Sequence, residues 1–176
     1  MYYIRNKIIS LLLLTLIIIV PMNVCGQAKA DPGQKYDPAF VTFGAGYYDF
    51  NRRKETGVEF RAEYRSDKRL SIFKPFAAFS ATNTSQGFIG AGLLLDLFMG
   101  RRYVMTPSFA PHYYWGGNKK LDLGHSIEFR SQLEFAYRFD NRSRLGMAIS
   151  HYSNAGIGNS NPGTETGTIY FSVPLR

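Results

Sequence analysis

The chain has 176 residues, a formal net charge of +8 and one cysteine. That length sizes it for one domain rather than two, and the lone thiol excludes a disulfide framework or a thiolate metal centre. Arg5, Lys7 and Lys29 lie in the first thirty residues, which hold no acid, so the rest carries 18 basic and 13 acidic residues, about +5. This modest excess suits an anionic surface; no nucleic-acid motif accompanies it, and nucleic acid is not an expected partner.

Residues 1–30 read as a signal peptide. Arg5 and Lys7 precede Ile8–Val20, a continuous apolar run with the length of a signal h-region and short for a membrane-spanning helix. Val24-Cys25-Gly26 and Ala28-Lys29-Ala30 offer cleavage near residue 26 or 30. An uncleaved anchor is the alternative. Lipidation at Cys25 fits poorly, because Val24 precedes it. Residues 31–176 then form one exported domain.

From residue 31 the rhythm is two residues, the period of a strand. Ala39–Phe50 places Val41, Phe43, Ala45 and Tyr47 on one side. Val58–Arg65 sets Val58, Phe60, Ala62 and Tyr64 against Glu59, Arg61, Glu63 and Arg65. Leu70–Thr82 follows. Phe88–Met99 has an apolar side from Ile89 to Met99 and Gly90, Gly92 and Asp96 opposite. After Tyr103–Trp115, Ile127–Asp140 alternates most clearly: Ile127, Phe129, Ser131, Leu133, Phe135, Tyr137 and Phe139 against Glu128, Arg130, Gln132, Glu134, Ala136, Arg138 and Asp140. Arg144–Asn154 and Gly167–Leu175 bring the count to eight.

Strands of about ten residues exceed those of ordinary sandwiches and match the roughly 9–11 residues of a tilted membrane-crossing strand. The predicted fold is therefore all-β, an eight-stranded antiparallel transmembrane barrel of the outer membrane. Eight strands leave an interior just wide enough for side chains. Glu59, Arg61, Glu63, Arg65, Glu128, Arg130, Glu134 and Arg138 are expected to fill it as opposite-charge pairs, with the apolar face on lipid. Asp96 is expected to pair with a lumen arginine, and His112 to point inward. A soluble eight-stranded ligand carrier is the alternative; signal peptide, strand length and strand-end aromatics favour the membrane barrel. Tyr113, Tyr114 and Trp115 read as interfacial aromatics. The turns near 66–69, 100–102 and 140–143 fall on the periplasmic side, and the loops near 51–55, 83–86, 116–123 and 155–166 outside.

The seventh strand carries an anomaly. Leu145, Met147 and Ile149 share the lipid-facing parity, and the next members are His151 and Ser153. Polar groups in an apolar zone are a functional hypothesis by default. Residues i and i+2 share a face, so imidazole and hydroxyl can act as base and nucleophile. A third group must orient the imidazole, and Glu165 is the only acid after Asp140; the last hairpin can return it beside His151. Asn154, Gly156 and Asn161 are the local oxyanion donors, through side-chain amides or backbone N–H groups. A polar hairpin loop without chemistry is the alternative. His125 has no acid and serine around it in this reading. Arg52, Arg53, Lys54, Lys119 and Lys120 fall in outer loops and suit anionic phosphates, or are solvated loop residues.

HYSNAG at 151–156, followed by Asn161-Pro162-Gly163 and Glu165, resembles the active-site signature of the lipid A 3-O-deacylase (PagL) family of outer-membrane acyl hydrolases. The resemblance implies a triad of His151, Ser153 and Glu165, with Asn154 and Asn161 near the oxyanion site. It implies no metal and no cofactor. Its substrate would be the 3-position hydroxyacyl ester of lipid A, in the lipopolysaccharide of the outer leaflet, arriving sideways from the membrane. Only about residues 147–165 carry a specific motif; the upstream strands match in pattern. The chain ends Val173-Pro174-Leu175-Arg176, with Phe171 its last aromatic, a departure from many outer-membrane barrels. Alternatives are a non-catalytic structural or adhesive barrel and a membrane acyltransferase or phospholipase. The pattern also leaves room for a homodimer.

Overall fold

A computed structural model describes residues 37–175. The signal segment, its cleavage signals and Cys25 lie outside the described residues. Nine strand segments follow in order: β1 (Phe40–Tyr48), β2 (Gly57–Arg65), β3 (Lys74–Thr82), β4 (Gly87–Leu94), β5 (Leu97–Met99), β6 (Tyr103–Trp115), β7 (Ile127–Arg138), β8 (Arg144–Ser153) and β9 (Thr164–Pro174). Each pairs antiparallel with its neighbours, and β1 closes on β9. β4 and β5 form one stave against β6, so the barrel has eight staves.

That stave is interrupted at Leu95 and Asp96 where a single strand is expected from the sequence. The reason lies across the ladder. Pro107 accepts the Leu95 N–H at 3.0 Å but has no N–H of its own to return. Two further boundaries move. Leu70–Phe73 closes a tight turn, with Leu70 and Phe73 exchanging backbone bonds of 2.8 and 3.1 Å around Ser71 at φ 60°, so the third stave starts at Lys74. The last strand starts at Thr164 instead of Gly167. Thr164, Thr166 and Thr168 are buried on its inner parity, where β-branched side chains suit a strand.

The two faces separate as the alternation requires. Outward residues are apolar and exposed, among them Leu133, Phe135, Leu145, Met147, Ile149 and Ile169, the surface of a barrel immersed in hydrocarbon. Inside, Arg61 pairs with Glu59 at 2.9 Å, Arg65 with Glu63 and Glu134 at 2.7 Å each, and Arg130 with Glu63 at 2.8 Å. Asp96 receives both Arg144 terminal nitrogens at 2.9 Å. Arg138 sits at the rim, 2.6 Å from Asp37. Glu128 departs from the expected pairing. It is fully buried beside His112 in register, and neither of its carboxylate oxygens has a hydrogen-bond partner among the described residues.

Both described termini lie at the end of the short turns, where Leu175 N–H bonds to Ala39 O at 2.7 Å. At the opposite end an apolar cluster closes the lumen: Tyr48, Phe88, Tyr114, Leu121, Leu123 and Tyr152. Tyr114 therefore points inward, donating to Gln86 at 3.1 Å, and does not join the interfacial aromatics. Tyr113 and Trp115, its neighbours in the chain, keep the outward parity.

Candidate active site

Tyr152 fixes the site. Its ring is wholly buried, stacked on Phe88 at a centroid distance of 4.4 Å, and its hydroxyl donates to Glu59 at 3.3 Å. Because strand neighbours alternate faces, locking Tyr152 inside holds His151 and Ser153 on the outer face. Below them on the same strand, Ile149 and Met147 are 63% and 65% exposed, so the pair sits directly above an apolar band.

The pairing of β8 with β9 sets Glu165 directly opposite His151. The His151 Nδ1–H donates to Glu165 Oε1 at 3.1 Å, and their side chains are 44% and 15% exposed. Since Nδ1 is taken, Nε2 is the nitrogen left to accept a proton. Glu165 belongs to the strand itself rather than to the returning loop. The Ser153 hydroxyl makes no hydrogen bond to the imidazole. Such contacts are commonly long without substrate and tighten when it binds.

Beyond Ser153 the chain turns sharply. Ala155 and Gly156 have φ of 54° and 79°, and Ile157 N–H returns to Asn154 O at 3.1 Å. Asn154 is completely buried. Its Nδ2 donates to Leu123 O at 2.9 Å and Ser160 O at 2.7 Å, and its Oδ1 accepts the Gly156 N–H at 2.9 Å. The Asn154 N–H donates to Asn161 Oδ1 at 3.2 Å. Asn154, Gly156 and Asn161 are thus one hydrogen-bonded unit beside Ser153. The Asn154 amide braces this loop against the β6–β7 loop and is not turned towards Ser153.

The basic residues divide. Arg52 Nε lies 3.7 Å from Glu165 Oε2, at the site itself. Arg53, Lys54, Lys119 and Lys120 are exposed on the β1–β2 and β6–β7 loops and form no ion pair among the described residues. His125 accepts the Ile127 N–H at 3.0 Å, and His112 Nδ1 lies 3.1 Å from Ala110 O inside the lumen; neither takes part. No group of three or more potential metal ligands occurs among the described residues.

Two contacts at the site go beyond what the sequence predicts for the residues that make them. Ser131 faces His151 across the β7–β8 ladder, on the side away from Glu165. Its signal was available: it is the one polar residue on the outward parity of Ile127–Tyr137. The approach of Arg52 to Glu165 had no such signal, because 113 residues separate them.

Fold and site together define an outer-membrane β-barrel with a hydrogen-bonded His–Glu pair and a serine on its lipid-facing surface. Residues 62–174 match the model of the family described as lipid A 3-O-deacylase (PagL). Lipid A deacylase PagL of Pseudomonas aeruginosa (strain PAO1) is 27% identical over 106 residues, 60% of this chain and 53% of that protein; the chain spans about half the length of that relative. Among solved structures, that of the outer membrane enzyme PagL superposes with a TM-score of 0.61 at 18% identity, covering 77% of this chain and 99% of that one. Neisserial surface protein A (NspA) gives 0.56 at 12% identity, covering 81% and 100%. The chain belongs to the lipid A 3-O-deacylase (PagL) family.

Proposed function

We propose that this protein is an outer-membrane serine ester hydrolase that removes the 3-O-linked hydroxyacyl chain of lipid A. The observation that carries the reading is the register of His151 with Glu165 on the lipid-facing surface, with Ser153 two residues further on. Membership of the family supports the choice of lipid A.

In this mechanism His151 Nε2 takes the Ser153 hydroxyl proton as Oγ bonds to the ester carbonyl carbon. Glu165 holds the imidazole through Nδ1–H and stabilises the imidazolium that forms. The carbonyl π pair moves onto oxygen. Its donor is the Asn154 N–H, which follows the nucleophile and is held by only a 3.2 Å bond that Asn161 yields as charge develops; the Gly156 N–H stays on Asn154 Oδ1 and steadies the turn. Collapse breaks the bond to the sugar oxygen, which takes the proton from Nε2. Water then loses a proton to Nε2 and attacks the acyl-serine, releasing the hydroxy acid and restoring Ser153.

Substrate enters from the bilayer side, so the acyl chain never leaves the hydrocarbon. Arg53, Lys54, Lys119 and Lys120 meet the phosphates of the headgroup, as cations near anionic lipid do. The detergent-solubilised full chain, incubated with purified lipid A, tests the reading. Expected products are lipid A shorter by one chain and an equal amount of free 3-hydroxy fatty acid. Transfer of the chain to another lipid, or release from a different position, contradicts it.

A further inference from the structure

We infer that Arg52 is a positioning residue acting through Glu165: its guanidinium holds the carboxylate turned towards His151, instead of serving as another headgroup contact. The inference rests on the catalytic role proposed above for Glu165.

Glu165 Oε1 accepts the His151 Nδ1–H, while Oε2 is buried and has no hydrogen bond. A buried acceptor left without a donor is costly, and the single bond from His151 leaves Oε2 unheld. Among the described residues Arg52 alone brings a cation to it, with Nε 3.7 Å from Oε2. An ion pair there orients Oε2 and so the oxygen that faces His151.

Gly163 is buried at φ +61°, and a Cβ on it would lie 3.3 Å from Arg52 Nη2 and 3.2 Å from His151 Cε1. The glycine leaves guanidinium and imidazole side by side against one bare stretch of backbone.

The loop that carries Arg52 is fastened to the strand that carries Glu165. Phe50 N–H bonds to Glu165 O at 3.4 Å, and Thr164 Oγ1 donates to Asp49 Oδ1 at 3.2 Å. Asp49 is fully buried and also accepts the Arg53 N–H at 3.1 Å and the Glu55 N–H at 2.8 Å. Arg52 is thus held at Glu165 by a braced turn, whereas the exposed Arg53 bonds back to Phe50 O at 3.4 Å and the exposed Lys54 forms no ion pair among the described residues.

Steady-state hydrolysis of lipid A by the solubilised full chain separates the roles. Arg52→Gln is expected to lower kcat roughly tenfold with KM little changed, as for a group acting on the transition state through another, and Arg52→Lys to recover part of the loss. In a Glu165→Gln background, Arg52→Gln should cost nothing more. A raised KM with kcat intact, or losses that multiply in the double variant, overturns the inference and leaves the deacylase reading standing. An inactive wild type, with Ser153→Ala no different, overturns both.

Discussion

His151 and Glu165 face each other across the β8–β9 ladder, with Nδ1 3.1 Å from Oε1, although they are fourteen positions apart in the chain with a tight loop between them. The distance is set by sheet register, and register in a closed barrel is fixed from both sides. On its other edge His151 is paired with Ser131. A slip of β8 by one residue would turn His151 and Ser153 into the lumen. The geometry of the His151–Glu165 pair is therefore a property of the rigid wall, not of the loop.

Glu165 should matter for rate and not for binding. Glu165→Ala is expected to lower kcat by roughly 10²-fold or more while KM stays near the wild-type value. Steady-state kinetics on the solubilised protein checks this. A change confined to KM would assign Glu165 to substrate contact.

Gly163 and Gly156 form a matched pair of tests. Both have positive φ, 61° and 79°, but a Cβ at 163 lies 3.0 Å from Tyr152 O and 3.2 Å from His151 Cε1, whereas at 156 nothing lies within 4 Å. Alanine at either site should cost about 1 kcal/mol of backbone strain. Only Gly163→Ala should also depress kcat, by crowding the imidazole. Thermal unfolding and activity of the two variants, compared directly, separate strain from displacement.

Asn154 is predicted to organise the loop behind Ser153. Asn154→Ala removes donors to Leu123 O and Ser160 O and the acceptor for Gly156 N–H, a loss of about 2 kcal/mol locally. Hydrogen exchange across 154–163 should accelerate while the β7 and β8 amides keep their protection. Activity should fall with it, because the Asn154 N–H beside Ser153 loses its placement.

Glu128 gives the opposite expectation. Its carboxylate is fully buried and both oxygens are unpartnered, so the neutral isostere Glu128→Gln should stabilise the barrel by about 1 kcal/mol. Urea unfolding of the folded barrel, read by its gel mobility, reports the sign; destabilisation would mean that Glu128 holds a charge partner in the membrane.

The alternation of Ile127–Arg138 made the barrel legible, because a lipid-facing and a charged lumen face leave opposite residues on alternate positions. The same parity put His151 and Ser153 outside. Less was readable where backbone chemistry overrides side-chain pattern. Pro107 interrupts a stave whose residues alternate correctly, and Leu70–Phe73 is apolar yet forms a turn. Thr164 and Thr166, β-branched and buried on the inner parity, extend the last strand, so Glu165 joins the wall. Arg52 was legible only as a cation in a loop; its approach to Glu165 depends on how Asp49 fastens two distant hairpins.

The central claim is that Ser153 opens an ester of lipid A, and mass spectrometry of lipid A from cells producing the wild-type chain or Ser153→Ala tests it most directly. Wild type should convert lipid A to a species lighter by one 3-hydroxyacyl chain, lost from the 3 position. Ser153→Ala, inserted at equal level, should leave lipid A intact. Full acylation with the wild type, or the same chain lost with Ser153→Ala, would contradict the account.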